Sequence, residues 1–214
     1  MTNKLYTKVF GWLFVGLLIT FLTGIFISNS KLITALLFHN SLYILFFLAE
    51  IIIAITLSTR IYKMKGTTAK ILYIVYAVLT GITFASIFLI YEVRSIIFVF
   101  LISAIIFGIF ALVGKKIKID LSKFSTFLFM TLIGVIILEF INLILMNGTL
   151  NIVLCAVSLF IFMGYVAFDI QKIGQLSQYG VDDDNVAIIG AFQLYLDFIN
   201  IFIKLLRLFG KRDD

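Results

Sequence analysis

Apolar residues run through this chain in long, nearly uniform stretches, broken by short clusters of charge. A helix needs about 20 such residues to cross a hydrocarbon core of about 30 Å, and the stretches have that length. They predict seven transmembrane helices, at about residues 8–28, 42–59, 69–91, 96–114, 125–146, 150–177 and 186–209. Lys31 to Ser41 reads as a short interfacial connection between the first two. The first run is long enough to span, carries no small-residue cleavage site and is followed by further helices. It therefore reads as a membrane helix, not as a cleaved leader.

The last run departs from uniformity. Gln193, Asp197, Asn200, Lys204 and Arg207 recur at alternating intervals of four and three residues. On an α-helix they fall within an arc of about 80° and climb roughly 21 Å along the axis. Lipid cannot solvate such a stripe, so this helix is expected inside a bundle. A second carboxylate, Asp169, sits within the sixth run. A charge at the centre of a spanning helix costs on the order of 3 kcal/mol by insertion scales, so both aspartates are functional candidates.

Composition and charge sharpen this reading. Of 214 residues, 63% are hydrophobic and 13% charged, outside the range of soluble domains. The whole chain, residues 1–214, is expected to form a single all-α integral membrane domain. It has no proline, so its helices should run without proline kinks. The net charge of +6 does not indicate nucleic acid, because the basic residues cluster in short loops. With the N-terminus in the cytoplasm, the inner loops carry most of the lysines and Arg60, and the outer loops between helices only Lys31 and Arg94. One feature disagrees: seven crossings place Lys204, Arg207, Lys211 and Arg212 at the outer end. Either the last helix crosses against the charge rule or it enters and returns, and enclosure by protein weakens the rule there.

Under that topology Asp169 and Asp197 meet in the inner half of the bundle, near Arg60 at the end of the second helix. Two carboxylates close together and poorly solvated cannot both ionise cheaply, so they tend to share one proton and titrate as a pair. That makes a pH switch without histidine. Arg60 can act as a latch, binding the deprotonated acids bidentately. Glu50 and Glu139 lie near the centres of the second and fifth helices. They are either protonated packing elements or, with Gln193 and Asn200, an extension of an ion path. Thr80, Thr83 and Ser86 read as helix-packing residues. Asp182, Asp183 and Asp184 lack calcium-loop spacing and read as a solvated loop before the last helix. No Cys/His cluster, phosphate loop or serine nucleophile elbow occurs, and no enzymatic chemistry or cofactor is expected.

Four segments carry a family likeness: LSTRIYKMKGTTAKILYIVYAVLTGITFASIFLIY, KKIKIDLSKFSTFLFMTLIG, AFDIQKI and LYLDFINIFIKLLRLFG. They resemble the Bax inhibitor-1 (TMBIM) family, most closely its bacterial YccA-like branch, over nearly the whole chain. The resemblance implies seven helices, six of them in two three-helix layers around a central C-terminal helix. It also implies a pH-sensitive calcium leak in an inner or plasma membrane, governed by Asp169 and Asp197, with Arg60 as the latch. Oxygen ligands suit calcium, so the same two acids are the expected metal contacts. Two further readings stay open: a proton/calcium exchanger, and a regulatory protein that binds a membrane-anchored ATP-dependent protease, as some bacterial relatives do. An intramembrane aspartyl protease is disfavoured, because neither aspartate lies in a GxGD motif.

Overall fold

The computed structural model describes residues 2–39, 42–178 and 184–213, and among these residues it is helical almost throughout. The helices are α1 (Thr2–Ser28), α2 (Lys31–His39), α3 (Leu42–Arg60), α4 (Gly66–Ile90), α5 (Val93–Lys116), α6 (Ser125–Leu145), α7 (Gly148–Gln178) and α8 (Asp184–Phe209). All but α2 are long and apolar enough to cross a membrane, seven in total. The segment expected as an interfacial connection is itself the short helix α2, and α1 starts well before residue 8. Helix α7 continues past Asp169 without interruption, as the sequence predicts. Asp182 and Asp183 lie outside the described residues.

Local signals explain where helices stop. Before α6, the Asp120 side chain accepts a hydrogen bond from the Ser122 amide and caps a 3₁₀ turn, Leu121–Phe124. Hydrogen bonds from the Ser122 hydroxyl and amide hold the Asp120 carboxyl below its ordinary range. At its other end, α6 closes on Met146 in the left-handed conformation (φ 50°), while Asn142 Oδ1 accepts from the Asn147 amide at 3.2 Å.

The chain forms two compact units. The first holds residues 1–92, 177–195 and 212–214; the second holds 93–176 and 196–211. Helix α8 is one continuous helix that gives its first half to one unit and its second half to the other. It is the most enclosed span, with 78% of its apolar window buried against 6% for α3. The enclosure inferred from the polar stripe is therefore present.

In the first unit α4 packs on α1 and α3. Its contact with α1 is close because Gly81 has no side chain. A Cβ there would stand 2.5 Å from Thr23 Cβ and 2.8 Å from the Thr20 carbonyl oxygen. Thr20 is fully buried, and its hydroxyl meets the Ala77 carbonyl at 3.0 Å and the Tyr195 hydroxyl of α8 at 2.6 Å. The contact with α3 is polar. Glu50 accepts hydrogen bonds from Thr80 at 2.7 Å and Thr83 at 3.4 Å.

The two ends of α8 fix its course in this unit. Asp184, at its start, pairs with Lys8 at 3.3 Å and Lys70 at 2.6 Å, both in the opening turns of their helices. Asn185 beside it donates to the carbonyls of Ile61 and Met64 at 3.1 and 2.9 Å. At the other end, the Asp213 amide donates to the Ile90 carbonyl at 2.9 Å, and Arg212 bridges Tyr91. Within the first unit, the residue that opens α8 and the residues just after its end therefore meet opposite ends of α4.

Two substitution pairs test this packing by thermal unfolding in detergent. Gly81→Ala should cost about 1–3 kcal/mol through overpacking, whereas Gly108→Ala, where a Cβ meets nothing within 4 Å, should be neutral or stabilising. Thr80→Val should cost about 1–3 kcal/mol by leaving the Glu50 carboxyl short of a donor. Thr83→Val, at the longer contact, should cost less. Equal effects within either pair would contradict the packing described.

Candidate functional site

Two charged side chains of the α8 stripe are deeply enclosed, and one of them faces a second acid. Asp197 and Asp169 are each 4% exposed. Helix α7 brings Asp169 to this point because Gly114 of α5 lets the two helices touch: a Cβ on Gly114 would fall on the backbone of Ala167, two residues before Asp169. The carboxyls of Asp169 and Asp197 lie within hydrogen-bonding reach of each other. Two carboxyls can share such a bond only when one of them carries the proton. Among the described residues no amide, hydroxyl or ammonium group donates to Asp197 Oδ2, although that atom is fully buried. A buried acceptor without a donor costs about 1–3 kcal/mol, a cost that a proton carried by Asp169 would remove.

The surroundings of the pair are sparse. Tyr165, one turn before Asp169 on the same face of α7, is close enough to feel both carboxyls. Lys172, three residues beyond Asp169, acts on it electrostatically, but no ion pair joins the two. The sequence reading did not single out Tyr165; its spacing of four residues from Asp169 is the signal that could have found it.

Other candidates from the sequence stand in different settings. In the second unit, Lys204 is 6% exposed and pairs with Glu139 of α6, whose Oε1 also accepts from the Ser158 hydroxyl at 3.3 Å. Asn200, one turn beyond Asp197, spends its amide on the Leu196 carbonyl at 2.8 Å. Glu50 and Gln193 belong to the first unit. Glu50 is held by Thr80 and Thr83, so those threonines serve a carboxyl as well as helix packing. Arg60 also belongs to the first unit, exposed at the end of α3, and among the described residues it pairs with no carboxylate. Arg207 ends the stripe and is exposed. The described residues contain no cluster of three or more His, Cys, Asp or Glu that could hold a metal ion. The aspartate pair therefore offers two acidic ligands, and a bound divalent cation would complete its shell with water or backbone oxygens.

Similarity to known proteins identifies the family of the chain. A family model described as "Inhibitor of apoptosis-promoting Bax1" matches residues 2–214. The inner membrane protein YbhL of Escherichia coli K12 is 36% identical over 211 residues, covering 96% of this chain and 90% of the relative. An uncharacterized protein of Borreliella burgdorferi is 35% identical over 215 residues, covering 98% and 93%. An uncharacterized membrane protein of Streptococcus pyogenes serotype M1 is 32% identical over 217 residues, covering 99% and 94%. The chain is a multi-pass membrane protein, and it belongs to the Bax inhibitor-1 family.

Proposed function

We propose that this protein is a pH-sensitive calcium leak of the inner membrane, with its N-terminus in the cytoplasm and no catalytic role. The observation that carries the reading is the enclosed aspartate pair, buried in spans that are otherwise largely apolar. The YbhL relative, named as an inner membrane protein, supports the location, and the lysine-rich short loops support the orientation.

The mechanism follows from the protonation of the pair. With one proton shared, Asp169 and Asp197 attract each other and hold α7 against α8. Without it, two negative charges face each other in a poorly solvated site. They must part, take a cation, or gain a cationic partner. Calcium satisfies the second demand, because it is a hard cation that prefers oxygen ligands. A guanidinium would satisfy the third by binding a carboxylate bidentately, the role that the family resemblance implies for Arg60. Raising the pH therefore shifts the population towards the separated or counter-charged arrangement, and lowering it restores the shared proton. A tenfold difference in proton affinity between two conformations changes their ratio tenfold, about 1.4 kcal/mol.

Calcium flux into liposomes, measured on both sides of neutral pH, tests this, since the two acids titrate as a pair. Flux through the natural protein should vary with pH, and Asp197→Asn should abolish most of that variation. An unchanged pH profile in Asp197→Asn would remove the pair from gating. Flux that runs uphill when a proton gradient is imposed would make the protein an exchanger. No flux above empty liposomes at any pH would sink the leak and leave the acids as structural elements.

A further inference from the structure

The Glu139–Lys204 pair plays no part in the mechanism above, yet Lys204 shares the face of α8 that carries Asp197. It lies seven residues further on, two turns and roughly 10 Å along the axis, with Asn200 between them. We propose that the Lys204 ammonium is a tethered cation occupying a cation subsite built from Glu139 and Ser158, and that it blocks the route beyond the aspartate pair. This blocking role rests on the leak reading; the subsite itself does not.

Two observations and one physical argument support the assignment. The donor set is that of a small-cation site: Glu139 Oε1 takes both the Lys204 ammonium and the Ser158 hydroxyl, and Ser158 is 1% exposed. Exposure within the pair is unequal. The lysine side chain is 7% exposed and the glutamate 33%, so the charge that fills the site is the more deeply enclosed partner. Finally, an ion pair is a poor way to join two membrane helices, because desolvation cancels much of its attraction, and apolar packing does the same at no such cost. Intramembrane lysines more often stand on an ion's route. An unpaired ammonium on this face would repel every cation leaving Asp197; paired with Glu139, it closes the route without adding net charge.

The test compares the natural protein with Lys204→Ala and Lys204→Met, purified in a buffer whose only other cation is N-methylglucammonium. n-Propylammonium replaces the part of the lysine that Lys204→Ala removes. It should raise the melting temperature of Lys204→Ala, leave the natural protein unchanged, and have no effect on Glu139→Gln/Lys204→Ala. In liposomes, calcium flux through Lys204→Ala and Lys204→Met should exceed that of the natural protein severalfold. n-Propylammonium should return Lys204→Ala, but not Lys204→Met, towards the natural level. Absence of the stabilisation, or its persistence without Glu139, overturns the proposal whatever the flux does. Stabilisation with no flux from any variant supports the subsite and overturns the leak reading instead. Stabilisation with flux unchanged in both variants removes Lys204 from the route and overturns its blocking role.

Discussion

A charge inside hydrocarbon must be enclosed, paired or discharged, and the polar stripe of α8 meets that demand along most of a membrane's thickness. Asp197 is enclosed against Asp169 and Lys204 against Glu139; Arg207, at the end of the stripe, reaches the surface. The enclosure in turn sets what the other helices must be. They can be largely apolar outside, because among the described residues the buried carboxyls and ammonium, Asp169, Asp197 and Lys204, lie on or beside one helix. That division explains why α3 buries almost none of its apolar window fully while α8 buries most of its own.

Close backbone approach makes the enclosure possible. Gly81 lets α4 touch α1, and Gly114 lets α5 touch α7 just before Asp169. Without a hydrophobic drive between helices in lipid, such small-residue contacts and the hydrogen bonds beside them supply the association. The Thr20–Tyr195 and Glu50–Thr80 hydrogen bonds serve the first unit in this way. In the second unit, aromatic edges of Phe100 and Phe107 pack on Phe198 at 5.3 and 5.7 Å.

Much of this was legible in the residues themselves. Hydropathy predicts all seven spans to within a few residues at most ends, because the bilayer imposes a length that needs no tertiary information. The enclosure of α8 followed from the spacing of Gln193, Asp197, Asn200, Lys204 and Arg207 alone. What the residues could not tell was which apolar helix adjoins which. Glu139 and Lys204 were both singled out, but nothing in an evenly apolar α6 says that Glu139 faces α8. Glu50 likewise gave no sign that Thr80 and Thr83 would serve it. The doubt over the final crossing had a physical cause: Lys204 counted as a loop-type positive charge, whereas in the fold it is neutralised by Glu139. The layering of six helices about α8 remains an implication of family resemblance, and the two compact units describe the fold without it.

The account turns on one proton held between Asp169 and Asp197 and released when a cation takes its place. Its most direct measurement is proton release on adding calcium to the purified protein in weakly buffered detergent near neutral pH. The account predicts release of about one proton per chain, since a cation bound by the pair displaces the proton the pair shares. It also predicts that Asp169→Asn and Asp197→Asn each abolish the release. Calcium binding without proton release, or release undiminished in both variants, would contradict it.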